Sequence, residues 1–273
     1  RQLGPDHPKV ARSAADLGLF LRNQGDRAAA APYLRRALAI DEKALGSGSP
    51  AVGEDLENLA SVLPPVEALP LYRRAAEHPD PGIAARNLAK LASYEESRAR
   101  RAAALALYRR ALAKEETASG ADHPRVAVRL NDVALLVEPK EAEPLLRRAL
   151  ALQEKRLSPR HPETASTLNN LANVLLATGR ATPAESLARR ALAMLEQTLG
   201  PRHPRVATAS SNLADILRAR KDHAAARRFY ERALVIDETA YGPNHPEVLV
   251  DLENLAGLLD EMGRREEARR LRQ

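Results

Sequence analysis

The chain contains no cysteine, which excludes disulfides, thiolate metal sites and cysteine nucleophiles. Aromatic residues make up only 3% of the 273 positions, although hydrophobic residues reach 44% with alanine and leucine dominant. A globular enzyme of this length usually fills its core with more aromatic bulk; a stack of close-packed helices does without it. No apolar run approaches the roughly 18 residues of a membrane span, and no secretory signal is visible. A Gly-rich phosphate loop, H-E-x-x-H and G-x-S-x-G are all missing, and the acidic residues look scattered, without a paired constellation. No enzymatic activity and no cofactor are therefore expected.

Charge is present in quantity, and lysine and arginine exceed aspartate and glutamate to leave a net +6. A basic balance permits nucleic acid or acidic partners without requiring them. The chain opens at Arg1 inside a motif and without methionine, so it reads as part of a longer protein whose other domains are potential partners. A cytoplasmic location is expected.

An internal repeat dominates what is there. His161-Pro162, His203-Pro204 and His245-Pro246 follow each other at intervals of 42 residues, and His123-Pro124 precedes the first by 38. Asp80-Pro81 and Ser49-Pro50 hold the same slot in weaker form, and His7-Pro8 opens the series. Periods of this length mark stacked helical repeats. The spacing predicts one all-α domain over residues 1–273, divided into seven helix pairs at about 7–48, 49–79, 80–122, 123–160, 161–202, 203–244 and 245–273. In each pair, proline sits just inside the first helix, where its missing N–H costs nothing, and the residue before it is placed to cap. Glycines such as Gly200 and Gly242 fit a left-handed position closing the second helix. Small residues recur where helices must touch: Ala172, Ala214 and Ala256 on first helices, then Ala184, Ala226, Ala268, Ala191 and Ala233 on second helices.

The pattern N-N-L-A in the first helix, R-R-A-L-A in the second, then L-G-P-x-H-P, resembles the tetratricopeptide repeat in its 42-residue, kinesin-light-chain-like form. The resemblance spans the chain and weakens in the second, third and fourth repeats, around Leu63-Pro64-Pro65, Ser93–Ala99 and Val137-Glu138-Pro139. It implies a right-handed α-solenoid with first helices lining a concave groove, and a non-catalytic scaffold that holds a peptide or partner domain there.

In that family the slot two residues before the small residue of the first helix often carries asparagine. Here it holds Asp16, Asn58, Asn87, Asp132, Asn170, Asn212 and Asn254. An amide both donates and accepts, so it can grip an extended backbone, or it can bond the adjacent repeat and fix the stacking. Asn169, Asn173 and Asp215 flank the slot, and Arg86 and Lys90 form a basic pair one turn apart that suits a carboxylate. Arginine pairs recur on the second helices, from Arg35-Arg36 to Arg269-Arg270. They make either a docking stripe for nucleic acid or another polyanion, or a solvated face bridging neighbouring helices. Nucleic acid is the less expected partner, because the scarcity of aromatics disfavours base stacking. A purely architectural role, as a spacer or self-association module, is the remaining alternative. The one-per-repeat histidines are helix caps on this view, and no metal site is expected.

Overall fold

The computed structural model describes residues 4–157 and 161–273. The chain start at Arg1 and the end set for the fourth repeat at residue 160 lie outside the described residues. Among these, every regular element is an α-helix: α1 (Pro8–Asn23), α2 (Arg27–Leu45), α3 (Pro50–Ala60), α4 (Pro65–Ala76), α5 (Pro81–Ser97), α6 (Arg101–Ser119), α7 (Pro124–Ala134), α8 (Pro139–Arg156), α9 (Pro162–Ala177), α10 (Ala181–Leu199), α11 (Pro204–Ala219), α12 (His223–Tyr241), α13 (Pro246–Glu261) and α14 (Arg265–Leu271). Odd-numbered helices are the first members of the pairs. None is long and apolar enough to cross a membrane, among the described residues.

Local chemistry sets the helix ends. The Nδ1 atoms of His7, His161, His203 and His245 accept from backbone N–H groups two residues on, with the following proline in the first turn. His123 does the same for Arg125. Each ring satisfies a donor that the helix leaves orphaned. At the other end, Gly46, Gly120, Gly200 and Gly242 have φ between 80° and 86°, but ψ between 150° and 161°. The expectation of a left-handed helical cap is corrected here: these residues occupy the extended positive-φ region, which only glycine adopts freely. The chain can thus leave the second helix in an extended turn and reach the start of the next first helix three residues later, at a His-Pro cap after Gly120, Gly200 and Gly242 and at Ser49-Pro50 after Gly46.

Packing divides the chain into two compact units, Arg1–Arg129 and Leu130–Gln273. In the first, α1 packs on α2, α2 on α3, α3 on α4, α4 on α5 and α5 on α6, while α1 also touches α3 and α3 touches α5. The second repeats the scheme from α8 to α14, with α9 also touching α11. Stacking of this kind buries apolar faces that no single pair hides alone. All eight alanines of the predicted contact slots, from Ala172 to Ala268, are fully buried. At the matching slot of α1, Gly18 lies so near Leu34 that an added Cβ would sit 2.7 Å from its Cγ. The weakened repeats differ visibly: α3 and α7 have 11 residues against 16 in α1, α9, α11 and α13.

Candidate functional site

The asparagine slot lies on the first helices, and its members have different fates. Asn87 is fully buried, and its Nδ2 donates 2.8 Å to the Ile83 carbonyl one turn back. It is therefore withdrawn from the set of ligand-facing residues. Asn170 is half-buried and donates 3.0 Å to Asn131 Oδ1 on α7, whose own Nδ2 donates 2.8 Å to Thr167. Here the amide ties one first helix to the next. Asn58, Asn212 and Asn254 are half-buried and their side chains make no hydrogen bond among the described residues. Asp16 is exposed, and Asp132 is half-buried on α7.

The flanking residues divide in the same way. Asn173 is exposed, but Asn169 is buried with its Oδ1 unpartnered. Asp215 accepts from the hydroxyl of buried Tyr230, and burial pushes its carboxyl above the usual range. Arg86 is not half of a free basic pair: its Nε donates 3.0 Å to Glu57 on α3. Lys90 alone stays exposed, on a shallow cavity of about 220 Å³ with Tyr72 and Tyr94. Other polar groups on first helices are also spent on each other. Ser211 of α11 donates 2.9 Å to Asp251 of α13, and Arg218 pairs with Glu261 at 2.7 Å.

The arginine ladders run between second helices. Arg35 of α2 pairs with Glu67 of α4 at 2.8 Å, Arg110 of α6 with Glu77 beside α4 at 2.8 Å, and Arg190 of α10 with Glu154 of α8 at 2.7 Å. Arg74 pairs with Glu42. Glu143 and Glu185 meet Arg147 and Arg189 at the predicted i,i+4 spacing, and each takes a second arginine, Arg180 and Arg220 respectively. Hydrogen bonds from Arg180 hold the Glu143 carboxyl down at about 2.

The view of the acidic residues as scattered is corrected by two buried carboxyl pairs, Asp41 with Asp55 and Asp237 with Asp251. Each has one member near the end of a second helix and the other on the following first helix. All four are at most 7% exposed. Burial, then the neighbouring charge of Asp41, raises Asp55 to about 7; burial, then Asp251, raises Asp237 to about 6. The signal was a spacing of 14 residues, repeated 196 residues apart, which the helical period hides because a turn intervenes.

Models of the tetratricopeptide repeat match residues 10–51 and 88–125, and 138–197, 169–239 and 205–272. The chain belongs to the tetratricopeptide repeat family. A crystal structure of a Rap protein complexed with competence and sporulation factor is similar over 97% of this chain and 75% of its own, with 14% identity and a TM-score of 0.66. The apo form of RapI matches over 96% and 74%, at 13% identity and a TM-score of 0.62. A kinesin light chain protein of Podosopora anserina with nearly identical TPR-like repeats matches over 88% and 99%, at 20% identity and a TM-score of 0.43. No curated protein matches the sequence. These likenesses concern the fold.

Proposed function

We propose that this tetratricopeptide repeat chain is a non-catalytic protein-interaction scaffold that holds a peptide or partner domain against the face formed by its first helices. The observation that carries the proposal is the state of Asn58, Asn212 and Asn254: three amides at one slot, half-buried, whose side chains make no hydrogen bond among the described residues. A half-desolvated amide without a partner gains from a ligand backbone that offers both a donor and an acceptor. Asp16 on α1 and Lys90 on α5 add exposed charge of both signs on other first helices, which favours a mixed polar segment over a polyanion. The arginine ladders support this choice, since many of their members are already paired with glutamates. The Rap protein of similar fold is complexed with a factor, which agrees with ligand holding as a use of such a stack. We place the chain in the cytoplasm on the same reading.

The test is capture on immobilised protein. Partners retained by the wild-type chain are compared with those retained by Asn212→Ala/Asn254→Ala, after far-UV circular dichroism has established that the variant is folded. Loss of a partner in the folded variant supports the first-helix face. Equal recovery would refute it and move attention to the second helices.

A further inference from the structure

A cavity of about 490 Å³ opens between α1, α2 and α3. Four carboxylates line it: Asp16 from α1, Asp41 from α2, and Glu54 and Asp55 from α3. Asp41 and Asp55 are 7% and 5% exposed, and among the described residues no hydrogen bond reaches either carboxyl; Asp41 Oδ1 and Asp55 Oδ2 are buried outright. Burying a carboxylate without a donor is among the costliest arrangements a fold can keep. The second unit shows the alternative. Asp251 there occupies the position of Asp55, and Ser211 donates to it. The residue at the position of Ser211 in the first unit is Ala15, a lining residue of the cavity that has no hydroxyl to give. The walls next to the acids include Leu19 and Leu45, apolar surface of the kind that the stems of long basic side chains cover.

We propose that this cleft is a subsite for an organic cation, the ammonium or guanidinium group of a lysine or arginine side chain carried by the bound segment. The cation supplies the donors that Ala15 withholds, and its charge offsets the acids. Arg12 is the one cation among the lining residues, and it is exposed and forms no ion pair among the described residues. The remaining charges facing the pair are Asp16 on α1, Glu42 on α2, which is held by Arg74 of α4, and Glu54 on α3. Because Asp55 takes up a proton near neutrality, the cation competes with that proton, and binding weakens as pH falls.

The proposal rests on the first-helix face as the ligand surface, and its test is separable from that of the face. The chain labelled with ¹⁵N is titrated with acetyl-Gly-Arg-Gly-amide, with the citrulline counterpart, and with spermidine as a free cation. The arginine tripeptide is expected to shift the amides of Ala15, Asp41 and Asp55 at pH 8, and the uncharged citrulline peptide is not. Asp55→Asn, which relieves repulsion and so folds, is expected to weaken the arginine peptide about tenfold, as is a change to pH 5.5. Arg12→Ala is expected to tighten binding and leave stability unchanged. The tripeptide titration and the partner capture by Asn212→Ala/Asn254→Ala are separate measurements, so the cation cleft and the amide face fail independently. Three outcomes overturn the proposal: no shifts with the tripeptide, equal shifts with its citrulline counterpart, or an Arg12→Ala variant destabilised as though an internal ion pair had been lost.

Discussion

Replacing Asp55 by asparagine should make the protein more stable, and by an amount that depends on pH. Burial and the charge of Asp41, with smaller contributions from Glu54 and Glu42, raise the Asp55 carboxyl from 3.8 to about 7 in the folded chain. Below about pH 3.8 both folded and unfolded states hold the proton, and the site contributes no pH-dependent term. Between 3.8 and 7 the unfolded chain releases the proton while the folded chain retains it, so stability falls as pH rises, and the loss levels off above 7. A displacement of about three pH units corresponds to roughly 4 kcal/mol when fully expressed. Asp55→Asn removes the titration and offers Asp41 an N–H donor. The expected gain is therefore about 2–4 kcal/mol at pH 8 and under about 1 kcal/mol at pH 4. For a chain of this length the larger figure corresponds to a rise in Tm of about 10 °C. Thermal melts followed by far-UV circular dichroism at the two pH values read the difference directly. Asp251→Asn is the internal control, since Ser211 already donates to one oxygen of that carboxyl and the gain should be smaller. A Tm change of the same size at pH 4 and pH 8, or a loss at pH 8, would refute the account of Asp55 as an uncompensated buried acid.

Two further outcomes test packing and electrostatics elsewhere. Ala172 is fully buried between helices, so Ala172→Trp should overpack the contact and cost about 1–3 kcal/mol or more, read as a lowered denaturation midpoint. Glu143→Gln removes the negative charge and one of the two acceptor oxygens that serve Arg147 and Arg180, and should cost about 1 kcal/mol at pH 7, discounted for the exposure of both arginines. Because the Glu143 carboxyl is held down at about 2, its contribution is present above the unfolded value of 4.5 and is lost as pH falls towards 2. Wild type and variant should therefore converge in acid.

What was legible in the sequence depended on short range. The His-Pro caps and the buried alanines follow from helical spacing and from the chemistry of a helix start, and the structure carries them as expected. Gly200 and Gly242 were legible in sign only: positive φ follows from their position, while ψ near 156° and 161° depends on where the next repeat begins. The asparagine slot was legible as a slot and not as a function. Asn87, Asn170 and Asn212 share one helical position, yet one bonds its own helix, one bonds α7 and the third bonds nothing among the described residues. The deciding atoms belong to an adjacent repeat or to a preceding turn. Arg86 failed as a free cation for the same reason, since Glu57 lies 29 residues earlier in the chain.

The register that holds Asp41 and Asp55 shows what this distance dependence implies. The corresponding positions, 14 residues apart across the turn between repeats, hold Tyr72 with Arg86, Glu115 with Arg129, Gln153 with Thr167, Leu195 with Ala209, and Asp237 with Asp251. Opposite charges, two neutral polar groups and two apolar groups are each suited to burial side by side. Two acids are not. The second unit answers one acid pair with Ser211, whereas the first meets the other with Ala15 and surrounds it with Asp16 and Glu54. An arrangement that costs stability in the chain by itself, at a register where Glu115 with Arg129, Gln153 with Thr167 and Leu195 with Ala209 are compatible, is what a site complementary to a positive ligand requires. The same uncompensated charge that makes Asp55→Asn stabilising is therefore the charge that the variant should lose as a binding determinant. Stability and cation affinity should move in opposite directions at this one residue.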